Sequence, residues 1–150
     1  MDISAIKRDS AKVEGGEWVG DIPGFGDVRL RVRGLDSTIV VATRSRKERR
    51  ATRDERERDG TLKPEVARRI FGEVLHEAVL LEWDGLTDAG KPVAFDADLA
   101  KEWLTNKDFT PFADAVVWAA GLLDRSRSSD REDVGNGSRK PSSARSGATS

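Results

Sequence analysis

Cysteine is absent from this chain, and its 150 residues include one histidine and one methionine. Without cysteine there is no disulfide and no thiolate metal site. One histidine leaves only carboxylates to hold a hard cation, and no loop has that signature. Acidic and basic residues almost cancel, giving a formal net charge of −1. No bulk field therefore draws the chain to nucleic acid, whose binding depends on neutralised phosphates. A membrane surface gains no attraction from overall charge either. Long apolar runs are also missing. The longest, Ala115 to Leu123, is interrupted by Gly121 and is far shorter than the roughly 20 residues that span a bilayer. The first residues, Met1-Asp2-Ile3-Ser4-Ala5-Ile6-Lys7-Arg8, lack the apolar centre of a signal peptide. The expected location is the cytoplasm.

What is present is charge, at 35% of residues against 37% hydrophobic. That balance predicts one domain with a small core under a solvated surface. Residues 1–13 read as a polar leader, 14–125 as the domain, and 126–150 as a disordered tail. The tail holds eight serines and three glycines, too little apolar surface to offset the entropy of ordering it. Residues 16–20 and 28–33 predict a hairpin around the turn Pro23-Gly24-Phe25-Gly26. In its second strand Val28, Leu30 and Val32 alternate with Arg29, Arg31 and Arg33. Asp36 or Ser37 caps an expected helix to about Arg58, with surface pairs Arg50–Asp54, Arg53–Glu57 and Asp54–Arg58. A second helix begins at Pro64. Its stripe of Val66, Ile70, Val74, Ala78 and Leu81, widened by Phe71 and Leu75, continues the helix up to Trp83. Asp96 caps a short helix over 97–105. A last helix starts near Thr110 and buries Phe112, Val116, Val117, Ala120 and Leu123. The fold class expected is α+β: a helix-dominated small domain with an N-terminal β-hairpin and a disordered C-terminal tail.

The passage joining the second and third helices is Val79-Leu80-Leu81-Glu82-Trp83-Asp84-Gly85-Leu86-Thr87-Asp88-Ala89-Gly90-Lys91-Pro92-Val93-Ala94-Phe95-Asp96. It resembles the tail assembly chaperones of long-tailed bacteriophages and related tail-like particles, where a similar Leu-Leu, Trp, Gly-Leu, Gly-Lys-Pro and Phe series joins two helices. The resemblance runs from about Val28 to Leu123 and is strongest over Val74 to Phe112. The arginine-rich segment 44–58 departs from the family by its length and charge. The resemblance implies a non-enzymatic protein that coats the tape measure protein and helps recruit tail tube subunits before leaving the growing tail. It implies two partners, the tape measure protein and the tail tube protein, with self-association alongside. It also implies a place in the host cytoplasm and absence from the mature virion. Two alternatives belong to other classes: a structural tail or connector subunit, and a small nucleic-acid-binding regulator that uses the basic helix.

The local motifs favour no catalytic, cofactor or metal site. Gly85, Gly90 and Lys91 have the spacing of a phosphate-binding loop, but Pro92 replaces the hydroxyl residue that reaches magnesium. As a calcium loop from Asp84, the same stretch has Leu86, Ala89 and Phe95 where ligands or the turn glycine belong. Gly24 and Gly26 are followed by Arg29 in place of the third glycine of a dinucleotide fingerprint. His76 lies beside Leu75 and near Ala78 and has no nucleophile in a recognisable setting. Trp83 and Trp118 are expected in the core. The partner-binding candidates are Trp103 and Phe109, on either side of the polar link 105–107, and the face bearing Arg29, Arg31 and Arg33. For both, the competing reading is structural: a helix-packing cluster, and a solvated face of self-paired charge.

Overall fold

The computed structural model describes residues 14–139, with side chains placed as far as residue 126. The expected leader, 1–13, lies outside the described residues. The fold is α+β and helix-dominated, with the N-terminal hairpin in place. Strand β1 (Glu17–Val19) pairs antiparallel with β2 (Arg29–Val32), setting Trp18 opposite Arg31 and Val19 opposite Leu30. The alternation on β2 does what its period predicts: Leu30 and Val32 are fully buried, while Arg29 and Arg31 face outward.

The second helix does not reach Trp83. Helix α1 spans Thr38–Arg49, and α2 spans Pro64–Val74, with Pro64 in its first position. A five-residue π-helical turn, Leu75–Val79, closes α2, and the chain then becomes strand β3, Leu80–Asp84. Strand β3 pairs antiparallel with the free edge of β2, so the sheet order is β1-β2-β3. An apolar run of this length satisfies a helix or a strand equally well. The acids decide the matter. Glu82 and Asp84 are two residues apart, as are Arg31 and Arg29, and in a strand pair the two sets meet. Arg29 lies 2.9 Å from Asp84 and Arg31 3.8 Å from Glu82, while Leu30 and Trp83 face each other on the buried side.

Arg33 secures the change from helix to strand. Its backbone N–H donates to Val79 O at 2.9 Å, and its Nη1 donates to Ala78 O at 2.9 Å. These carbonyls end the helical segment and would otherwise lack partners.

Helix α1 also ends earlier than its charge pattern predicts. Ser37 Oγ accepts from Val40 N at its start, and the helix stops at Arg49. Thr52 N–H then donates to Glu55 Oε1, 2.9 Å, in a reciprocal cap that begins a short 3-10 turn, Arg53–Glu55. The expected pairs along 50–58 are replaced by contacts between helices. Lys47 bridges Glu73 (3.4 Å) and Glu77 (2.5 Å), and Arg69 reaches back to Glu55 (3.0 Å). Much of the basic segment is thus held against α2.

Beyond β3, strands β4 (Thr87–Asp88) and β5 (Lys91–Pro92) form a small hairpin. Asp96 caps α3 (Ala97–Thr105) by accepting from the N–H groups of Asp98 and Leu99. A 3-10 turn, Lys107–Phe109, leads into α4, Thr110–Arg139. Helix α4 therefore continues past residue 125 into the segment expected to be without order. No proline lies between Pro111 and Pro141 to stop it. Residues 140–150 are outside the described residues. Helix α3 packs between α2 and α4, and α4 crosses β2 and the π turn. The core is one cluster in which Leu30, Val32, Leu75, Val79, Val116 and Ala120 are sealed from water.

Gly72 marks a close approach of α2 and α3. A Cβ there would stand 2.6 Å from Leu104 O. Gly72→Ala gains about 1 kcal/mol of helix propensity, but forces apart two packed backbones at roughly 1–3 kcal/mol. A lower urea midpoint is expected, where an unhindered helix glycine would give a higher one.

Asp124 joins α4 to the chain entering α1, accepting from Leu35 N (3.0 Å) and Asp36 N (3.3 Å). Burial, together with the Asp36 carboxyl beside it, pushes the Asp124 carboxyl up to about 6 from 3.8. Because the folded value is raised, this contribution to stability is complete below about 4 and is lost as pH rises through about 6. Lowering the pH from about 7.5 to 5 should raise the melting temperature of the native chain relative to Asp124→Asn. Burial lowers the pKa of His76, which acts with the opposite sign, but both proteins carry it and the difference between them isolates Asp124.

Candidate protein-docking groove

Trp83 stands at the inner face of β3 and organises the aromatic residues that follow it. Its Nε1 donates to Val93 O at 2.8 Å. Trp103, from α3, stacks on it with centroids 5.0 Å apart and planes 19° apart, and Phe109 stacks on the far side of Trp103 at 5.5 Å and 19°. Phe112 meets both tryptophans edge-on, at 5.9 and 5.3 Å, and Phe95 closes on Trp83 at 4.8 Å. Each such pair adds about 0.5–1.5 kcal/mol beyond the area it buries.

Local chemistry fixes the geometry of this stack. Ala89 and Gly90, with φ of 51° and 81°, make the two-residue turn of the β4–β5 hairpin. Both central residues of that turn type need positive φ, which glycine adopts without strain. Leu86 O accepts from Val93 N at 2.9 Å and extends the hairpin back toward β3. Gly85, Gly90 and Lys91 therefore shape a hairpin and the bend that leads into it. On the other side Asn106 accepts from Asp108 N at 2.9 Å and starts the turn that sets Phe109 against Trp103.

Between hairpin, α3 and the start of α4 lies an open groove of about 610 Å³. Phe25, Leu86, Val93, Trp103, Phe109 and Phe112 supply its apolar wall, and its two charged lining residues, Asp88 and Asp108, are both acidic. Phe109 keeps 37% of its surface exposed. An apolar floor with acidic groups at its margin suits a side chain of another polypeptide.

Of the five partner-binding candidates, the structure brings Trp103 and Phe109 together in this groove. The three arginines lie elsewhere and are engaged within the chain. Arg29 pairs with Asp84 and lies 4.9 Å over the exposed Trp18 ring, Arg31 pairs with Glu82, and Arg33 caps the end of the helical segment. Trp83 is buried, as expected, and Trp118 is partly buried against the core. Phe25, Leu86 and Asp88 are lining residues that the sequence pattern does not single out, because Phe25 and Leu86 lie in loops and Asp88 in the two-residue strand β4, all outside any periodic stripe. Their signal is bulk or charge in short connecting segments where small residues suffice. His76 Nδ1 is buried with no hydrogen-bond partner, and burial lowers the pKa of the ring. Among the described residues no group of three or more His, Asp or Glu side chains could hold a metal ion, and no helix is long and apolar enough to cross a membrane.

Residues 36–136 match the YdaY prophage protein family. The chain belongs to that family. It is therefore a phage-derived protein. The matched region contains β3, the β4–β5 hairpin, α3 and the start of α4, and so most of the groove wall; Phe25 and the β1–β2 hairpin precede it. No curated protein matches the chain, nor does any solved structure.

Two substitutions separate the structural from the exposed end of the stack. Trp83→Ala should lower stability by about 3–5 kcal/mol, as for other buried large aromatics. Phe109→Ala, at the exposed end, should lower it by about 1 kcal/mol or less. Equilibrium urea unfolding of both variants, compared with the native chain, measures the contrast.

Proposed function

We propose that this protein is a tail assembly chaperone, which coats the tape measure protein and helps recruit tail tube subunits while the tail is built. The observation that carries the reading is the Trp83 passage. The stretch on which the chaperone resemblance rests lies inside the prophage-family region, and it builds a groove with the chemistry of a polypeptide-binding surface. The rest of the domain suits the task. Its surface is rich in charge, and many of the ion pairs lie between its own elements. Such a domain can shield an apolar helical partner without adding a large sticky face of its own. A small domain covers an extended partner by repetition, with each weak contact reinforced by copies held nearby.

The test is co-expression with the long, helix-rich tape measure protein of the same phage or prophage. The partner should change from insoluble to soluble and should co-purify with several copies of this chain. Mass spectrometry of finished particles should find the chain absent or scarce. A partner equally soluble without it, or a full complement of the chain in purified particles, would overturn the reading in favour of a structural tail subunit.

A further inference from the structure

The groove beside the Trp83 stack contains two carboxylates with no cationic partner. Asp88 comes from strand β4 and Asp108 from the 3-10 turn before α4. Among the described residues neither forms an ion pair, whereas Arg29, Arg31 and Lys47 each meet an acid. Lys91, across the hairpin from Asp88, and Lys107, next to Asp108 in the chain, do not line the groove. Phe109 lays one face on Trp103 and remains 37% exposed. Elsewhere the chain sets a guanidinium over such a ring, Arg29 over Trp18 at 4.9 Å and Arg44 over Phe71 at 5.6 Å. No cation of the described residues is so placed over Phe109. The wall is otherwise largely apolar, and it gives few partners to the backbone of anything that lies in it. A helix bonds its own backbone and needs none there.

We infer that the groove takes a helix of a foreign polypeptide that presents one bulky apolar side chain with arginines within a turn of it on the same face. The apolar side chain fills the hollow against Leu86, Val93 and Trp103, and the arginines answer Asp88, Asp108 and the open ring of Phe109. Residues three and four apart on a helix share a face, so a single turn supplies both kinds of contact. Arginine suits the site better than lysine, because its flat guanidinium stacks on a ring and still donates to a carboxylate. At about 610 Å³ the groove is within the roughly 300–1,000 Å³ of pockets that hold compact ligands. Apolar filling supplies most of the attraction, and charge supplies the choice: a segment with acids beside its anchor meets like charge. The inference rests on reading the groove as a polypeptide-binding surface and adds the chemistry of the segment it selects.

Fluorescence anisotropy of dye-labelled, alanine-rich helical peptides of about 20 residues, titrated with the full chain, tests it. Each peptide carries one central leucine flanked at three and four residues by arginine, lysine, glutamine or glutamate. The arginine peptide should bind several-fold tighter than the glutamine peptide, with lysine between them and glutamate weakest. About 1 M salt should largely erase these differences. Replacing the central leucine by alanine, or Phe109→Ala in the chain, should weaken the arginine peptide by about tenfold. Asp88→Lys combined with Asp108→Lys should invert the order, so that the glutamate peptide binds best. That inversion also shows that the variant is folded. Four results would each overturn the inference: no saturable binding of any peptide, an affinity blind to the flanking charge, an order unchanged by the double variant, or a bound peptide displaced as the chain concentration rises. The last would give the groove to a second copy. Binding blind to charge leaves the groove a polypeptide-binding surface and removes only the arginine preference. The chaperone reading is decided separately, by the co-expression result, in which no designed peptide takes part.

Discussion

The burial of Trp83 is the constraint on which the rest of the structure depends. Its indole lies across from Leu30 in the sheet, holds the hairpin through Val93 O, stacks on α3 through Trp103, and meets α4 through Phe112. Four elements distant in sequence thus share one side chain. A core this small has few large residues to connect its layers, and an aromatic with one polar atom suits the role. It buries a large area at little conformational cost, and its N–H finds a backbone acceptor, so no polar group is stranded. The groove is the exposed continuation of the same stack, rigid at Trp83 and open at Phe109.

Charge follows a second constraint. A chain that is 35% charged must arrange its ions so that they do not oppose folding, and here many are placed between elements. The arginines of β2 meet acids on β3, and Lys47 and Arg69 bind α1, α2 and the 3-10 turn into one unit. Exposed pairs of this kind contribute little energy individually. Their role is selective: they favour one register of β3 on β2, because slipping by one residue would turn every side chain to the opposite face. The same geometry accounts for what Arg29, Arg31 and Arg33 do within the chain, where each has a partner. Arg33 illustrates this best, with its guanidinium bonded to a carbonyl of the π turn.

Much of the fold was legible in the chain because local signals and tertiary structure agreed. The period-2 pattern of Val28 to Arg33, the capping residues Ser37 and Asp96, Pro64 at a helix start and the stripe after Thr110 all act within a few residues of themselves. The errors lie where two local solutions were equally good. Leu80 to Asp84 reads as helix or strand, and only the vacant edge of β2 with its two outward arginines selects strand. Residues 50–58 could extend α1, but Thr52 and Glu55 cap a new turn and Arg69 draws Glu55 toward α2. Of the candidate site, Trp103 and Phe109 were recognisable as bulky aromatics beside a polar link. Phe25, Leu86 and Asp88 were not, because a hollow is formed by residues that meet in space and have no common period in sequence.

The sequence by itself determined the class of the molecule: an α+β domain without cysteine, bearing a prophage-family region and a Trp-centred passage resembling tail assembly chaperones. These features are carried by composition and by neighbours along the chain. Tertiary structure alone decided that the passage begins as the third strand of a sheet, that the arginines are engaged internally, and that an apolar groove with two acidic lining residues opens beside the Trp83 stack. The physical reason is that a strand edge, an ion pair between elements and a hollow are each defined by two or more distant segments. Their energies exist only once those segments are brought together.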